Sequence, residues 1–469
     1  MSRELVHTVT RLLTLAGLDE AVFHALVWRA TVVLAGLATL KVVASFLTGP
    51  EQGFYFTFSS LLGIRVFVDL SFSYVVSILV SHQAAGLRWS PQRFLVGDPE
   101  KRQNLGILFR IMSVWYLAAG GLLIITAFTV GTLFFQHTQE HTLGIFWYRP
   151  WAMLCVASGL SLMLTPLYAL LEGCGEVALT ARLRTGEVLS SSVVFWAALA
   201  SGFGLNAAAL VPATQVFYQT TMVLFRRKHF FRDVYQAGRN LPVAQILREA
   251  WPLQWRVGVS AMSGYFIFNF LNPLVFAHLG AIEAGQIGMS MALLSALSTA
   301  ASTWVNTKSP TFVMLIAKKN YGRLDELFFR SLGRGSAVMI AGTCIIMILI
   351  ARMRILDSRY ADRVLGLVPF ACLAGTYLAN YVVFALAVYL RAHRTDPFVS
   401  ASVATGLLVA GSTWLASQRQ GVLGVCVAYL CVTVISSTYA TSVFMRCRRR
   451  WHGETTGSQM FVTVPFQGS

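Results

Sequence analysis

The sequence predicts an all-α polytopic membrane protein, with about twelve transmembrane helices in two six-helix lobes around a central cavity. Three observations carry that expectation. Of 469 residues, 56% are hydrophobic and only 12% charged, about half the charged share of a soluble domain. Mean hydropathy is +0.62, and long apolar runs recur from about residue 22 to residue 445. Their length suits helices of about 20 residues, whereas barrel strands would alternate in segments of about ten.

Residues 1–21 are mixed and charged, so no cleavable leader is evident and the first span is expected to stay. Spans are expected near 22–48, 53–81, 104–135, 151–171, 187–203, 205–225, 252–277, 284–316, 333–351, 364–390, 397–417 and 421–445. The longest connector, RRKHFFRDVYQAGRNLPVAQILRE (226–249), divides them into two sets of six. The expected organisation is an N-terminal lobe (1–226), a cytoplasmic linker (227–251), a C-terminal lobe (252–446) and a cytoplasmic tail (447–469).

The net charge of +17 would suggest nucleic acid in a soluble chain. Here most Lys and Arg gather in the loops of one side, and the positive-inside rule places both termini in the cytoplasm. One loop resists this orientation: ARMRILDSRYADRV (351–364) would be external despite Arg352, Arg354, Arg359 and Arg363. The seven Cys are scattered, mostly inside apolar runs, and read as small hydrophobic residues.

The two halves look like copies. Trp28-Arg29 opens the first span and Trp255-Arg256 the seventh. GPEQGFYFTFSSLLG (49–63) and LGAIEAGQIGMSMALLS (279–295) share a Gly, then Glu-x-Gly, then a long amphiphilic helix. Glu51 and Glu283 are expected to cap the external starts of those helices. A duplicated six-span unit is a common transporter plan.

The segment SFLTGPEQGFYFTFSSLLGIRVFVDLSFSYVVSILVS (45–81) resembles the opening helical hairpin of polysaccharide flippases, a branch of the multidrug/oligosaccharidyl-lipid/polysaccharide exporter superfamily. YALLEGCGEV (168–177) and residues 276–328 are similar to the matching fourth-span end and seventh-to-eighth segment. The resemblance covers most of the first eight spans. It implies a two-lobed, alternating-access carrier of an isoprenoid-diphosphate-linked oligosaccharide, with cationic side chains in its cavity.

The charges inside the spans fit an anionic cargo. Arg29, Lys41, Arg65, Arg110, Arg256 and Lys308 are cations within apolar runs, and Asp69 is the one acid expected among them. A site of net positive sign attracts anions, and guanidinium forks match phosphate oxygens. Arg110 and Lys41 lie near span ends, where snorkelling to headgroups suffices. Arg256 is equally suited to either role, while Arg29 lies deeper and points to the cavity. Lys308 precedes Pro310, where a kink would open a wet pocket. Arg65 is deepest and the strongest candidate. Asp69, four residues on, is placed either to pair with Arg65 or to couple transport to an ion.

Expected site residues are therefore Arg29, Arg65, Arg256 and Lys308 for substrate, with Asp69 for coupling to a proton or sodium ion. The other bends and aromatics read as structural: Asn269, Asn272 and Pro273 should bend the seventh span. No catalytic residue, metal or cofactor is expected. HTQEH (137–141) lacks HExxH spacing, and neither a GxxxxGK[ST] loop nor a GxSxG elbow occurs. A membrane polymerase or glycosyltransferase acting on lipid-linked sugars is the enzyme alternative, but the external loops are short. An ion-coupled antiporter of the same fold should carry more acid in its cavity. The expected location is the cytoplasmic (inner) membrane, with membrane lipids as further partners and no nucleic acid.

Overall fold

A computed structural model describes residues 20–70, 72–90, 94–138, 144–238, 255, 258–393 and 397–459. The described residues are all-α apart from one small hairpin. The chain divides into two compact units, one of residues 1–265 with 280–285, the other of residues 266–279 with 286–469.

In the first unit, α1 (Glu20–Phe46) packs along α8 (Val177–Ala200). The second span is broken into α2 (Gly49–Leu62), α3 (Arg65–Asp69) and α4 (Phe72–Ala84). A β1–β2 hairpin (Leu87–Trp89, Leu95–Gly97) then leads into α5 (Pro99–His137). Next come α6 (Tyr148–Met163), α7 (Thr165–Gly173), α8 and α9 (Ala207–Tyr218), with α9 running into a π-helical turn, Gln219–Phe225. The expected connector after it contains a helix, α10 (Lys228–Ala237). Its Phe230, Phe231 and Val234 are buried while Lys228, His229 and Arg232 are exposed, the pattern of a helix lying on a surface.

In the second unit, the seventh span bends at Asn269–Phe270 before α11 (Leu271–Leu279), where the FNFLNP run predicts it. There follow α12 (Ala281–Asn306), whose first residues belong to the first unit, and α13 (Ser309–Ala317). The remainder is α14 (Tyr321–Ile355), α15 (Leu367–Ala392), α16 (Val399–Arg419) and α17 (Gly421–Gln459). The resisting loop has a physical account: α14 runs on through Arg352 and Arg354, cations in a last turn that favours positive charge.

Among the described residues, eight helical segments are long and apolar enough to cross a membrane. The second span is not among them because it is broken into the short helices α2, α3 and α4. Large apolar side chains on the outside, among them Leu34, Val114, Ile125 and Ile435, are 65–67% exposed, which is stable against acyl chains. Within the first unit, Phe54, Phe58, Phe135, Trp147 and Trp151 form an aromatic cluster. A Cβ at Gly131 would lie 2.2 Å from the Trp151 ring, so glycine there makes the cluster possible.

Each unit ties the start of its third span to a segment at or beyond the end of its sixth. Arg102 pairs with Asp233 in the first unit. In the second, Asp325 accepts from Tyr389 at 2.8 Å and from Arg448 Nε at 2.8 Å. The charges are exchanged, but the tie is the same.

Glu51 caps as expected. Thr48 and Glu51 form a reciprocal capping box at the α2 start, the Glu51 carboxylate accepting from Thr48 N–H at 2.8 Å, and Glu283 occupies the first turn of α12. Thr48→Ala should cost about 1 kcal/mol, read as a lower thermal transition of the purified protein.

Candidate functional site

The break in the second span positions Arg65. At Gly63 and Ile64 the ladder tightens to bonds three residues apart, from Gly63 N to Ser60 O and from Ile64 N to Leu61 O. After α3 the chain turns at Leu70, whose φ is +47°, a conformation that a branched side chain adopts only under packing constraint. Irregular backbone at membrane depth is tolerated where it is buried in protein or lines a wet cavity. Such a cavity is present within the first unit, about 300 Å³ in volume. Arg65, Tyr55, Ser59, Ser158, Ser161 and Gln215 supply its polar lining. Ser161 Oγ reaches Gln215 Oε1 at 3.5 Å, so hydroxyl and amide groups converge on the space the guanidinium borders.

Asp69 does not neutralise Arg65, so the pairing suggested by their spacing is corrected. The Asp69 carboxylate accepts a hydrogen bond from the Tyr116 hydroxyl of α5. Among the described residues Arg65 has no ion pair or hydrogen bond. The short α3 ends at Asp69 and the turn at Leu70 follows at once, so the carboxylate is directed to α5 instead.

The other predicted residues are dispersed. Arg29 is exposed on α1. Arg256 lies outside the described residues. Lys308 is exposed at the N-cap of α13 in the second unit, ahead of Pro310, at the break between α12 and α13. Each unit thus has a broken span with a cation at the break. Lys41 is exposed. Arg110 is held at α10, its Nε donating to Tyr235 O at 2.7 Å and its guanidinium 4.4 Å over the Tyr235 ring. That is a structural role near a helix end.

The sequence reading missed a second acid. The fifth span begins at Val177, ten residues earlier than expected, because Arg182 and Arg184 made VALTARLRTGEV look like a loop. This places Glu187 inside α8, and it is 8% exposed. The Tyr168 hydroxyl donates to its Oε2 at 2.6 Å and Gln219 Nε2 to its Oε1 at 3.1 Å. Arg184 instead pairs with Glu172 at 3.0 Å and stacks on Trp28 and Tyr168. A buried carboxylate held by neutral donors is suited to take up and release a proton.

Among the described residues no group of three His, Cys, Asp or Glu is placed to hold a metal, and HTQEH falls partly outside them.

Comparison with known proteins supports the fold at low identity. No family model and no curated protein matches the chain. Solved structures do match over nearly the full length. An inward-facing multidrug-resistance MATE transporter of the MOP superfamily aligns with TM-score 0.62 at 11% identity, covering 90% of this chain and 99% of that one. A eukaryotic MATE transporter aligns with TM-score 0.62 at 14% identity, covering 96% and 99%. The lipid II flippase MurJ, in an inward closed conformation, aligns with TM-score 0.61 at 10% identity, covering 95% and 94%. The chain therefore has the two-lobed, twelve-helix fold of these transporters.

Proposed function

We propose that the protein is an alternating-access flippase carrying an isoprenoid-diphosphate-linked oligosaccharide across the cytoplasmic membrane, for surface polysaccharide synthesis. The observation that carries this reading is Arg65: a guanidinium with no counter-ion among the described residues, at a helix break, bordering a cavity whose wall includes hydroxyl and amide groups. An exposed cation with room beside it and hydroxyl and amide groups in the adjoining wall is a place for a phosphate group. The fold shared with a lipid II flippase is compatible with a lipid-linked cargo. In this reading both termini are cytoplasmic, the lobes are residues 1–226 and 252–446, and Arg29, Arg256 and Lys308 are further contacts along the route. The diphosphate and glycan cross through the protein while the lipid tail stays in the bilayer. No bond is made or broken.

The test is the fate of the lipid-linked intermediate in cells lacking the protein. Single repeat units trapped on the cytoplasmic face are expected. Unpolymerised units on the outer face would replace the flippase by a polymerase.

Glu187 favours one second reading, an ion-coupled antiporter of small molecules, because a buried carboxylate suits proton exchange. Under it, an imposed pH gradient drives organic-cation movement in vesicles, and Glu187→Gln abolishes that movement at normal protein level. Under the flippase reading no organic cation moves, and Glu187→Gln lowers only the ion dependence of glycan export.

A further inference from the structure

A larger cavity, of about 700 Å³, lies elsewhere in the first unit and shares no lining residue with the Arg65 cavity. Its walls are apolar: Phe109 and Leu117 of α5, Leu160 of α6, Leu167 of α7 and Leu224 of the π-helical turn. Leu117 is 62% and Leu160 41% exposed. Both sit on membrane-length helices, so the groove is open along its side to the acyl-chain region. From Phe109 to Leu117 the α5 wall rises about 12 Å at 1.5 Å per residue.

One end of the groove is charged. Lys228 and Arg232 of α10 line it one helical turn apart. Both are exposed, and neither has a hydrogen bond or ion pair among the described residues. The neighbouring charged groups are already committed: Asp233 to Arg102, and Arg110 to Tyr235. No carboxylate lines the groove. α10 buries Phe230, Phe231 and Val234 and presents its cations outward, as an interfacial helix does at headgroup level. An apolar slot the depth of part of an acyl chain, ending in two unpaired cations at the interface, has the chemistry of one amphiphile: a lipid with a negatively charged head.

The geometry points to a resident anionic phospholipid, seated with its phosphate between Lys228 and Arg232 and one acyl chain between α5, α6 and the α9 end. This goes beyond the transport reading and does not depend on it. The lipid has a lever on the candidate site. Leu160, Met163 and Val216 face the groove, whereas Ser158, Ser161 and Gln215, on the same helices α6 and α9, face the Arg65 cavity. A chain wedged on one side of the α6–α9 pair holds the polar walls on the other.

The experiment is native mass spectrometry of the purified full chain with added phosphatidylglycerol or phosphatidylcholine. Wild type should retain phosphatidylglycerol about fivefold or more over phosphatidylcholine, as expected for two cations at an anionic head. Lys228→Ala with Arg232→Ala should bring the ratio near one. Lys228→Arg with Arg232→Lys should keep it, and Leu160→Trp, which fills the slot and leaves the cations, should lower retention of both lipids. Arg352→Ala with Arg354→Ala, on α14, should change nothing. A preference that survives the double alanine variant overturns the site. Displacement of phosphatidylglycerol from wild type by equimolar isoprenoid phosphate overturns the phospholipid as occupant in favour of the carrier lipid. If the alanine variant does not fold, a preference that persists in Leu160→Trp with undiminished retention overturns the proposal equally.

Discussion

Arg65→Ala is expected to lower surface-glycan export about 10- to 100-fold in cells with normal protein levels. The size follows from losing one charge-assisted hydrogen bond, worth about 1.5–3 kcal/mol. Arg65→Lys keeps the charge but loses the planar fork, so it should retain part of the activity. The ordering, wild type above Lys above Ala, separates a binding role from a packing role. Arg65 has no partner among the described residues and is exposed, so its removal leaves no buried group stranded and folding should be little affected. Asp69→Asn offers the contrast. If Arg65 and Asp69 were an ion pair, the two single changes would be strongly coupled in a double-mutant cycle. Because Asp69 is held by Tyr116 instead, the coupling should be small, measured as export rates of the two single variants and the double.

Gly53→Val is expected to abolish accumulation of folded protein. A Cβ at Gly53 would lie 1.9 Å from the Ala281 carbonyl oxygen and 2.7 Å from its carbon. Backbone cannot swing aside as a long side chain does, so the segment 280–285 would have to leave α2. The same movement would break the buried bond from Gln52 Nε2 to Gly285 O, 2.8 Å long. Overpacking in a core costs typically about 1–3 kcal/mol, and here the lost hydrogen bond adds to it. Gly53→Ala should be damaging too, though less. Gly36→Ala, on α1 with nothing within 4 Å of the added carbon, should be neutral or slightly stabilising, since alanine favours helix by about 0.5–1 kcal/mol. Fluorescence-detected size-exclusion profiles and thermal melts distinguish these three.

The sequence made the number and order of the spans readable because helices that cross hydrocarbon need long apolar runs, and those runs are hard to hide. It also made the Glu51 cap readable, since Thr48-x-x-Glu51 is a local pattern. Breaks were harder. GIRVFVDL is apolar enough to pass for continuous helix, and nothing local shows that Leu70 adopts positive φ. The π-helical turn after α9 likewise has no sequence signature. Distant partners were invisible: Asp69 was four residues from Arg65, but the hydroxyl it accepts from belongs to Tyr116, on another helix. Glu187 was hidden by its basic neighbours, whose charge drew the span boundary too late. The α10 helix was legible in principle, because Phe230, Phe231 and Val234 follow helical spacing inside the basic connector. The cations of the predicted site were readable as a set, whereas their individual surroundings depend on packing that one sequence does not display.

The central claim is that Arg65 provides the phosphate contact. Its most direct test is equilibrium binding of a short-chain isoprenoid diphosphate to the purified protein in neutral-lipid nanodiscs, wild type against Arg65→Ala. The account predicts saturable binding to wild type and affinity lower by about tenfold or more in the variant, consistent with at least one lost charge-assisted bond. Equal affinity of the two proteins would contradict it.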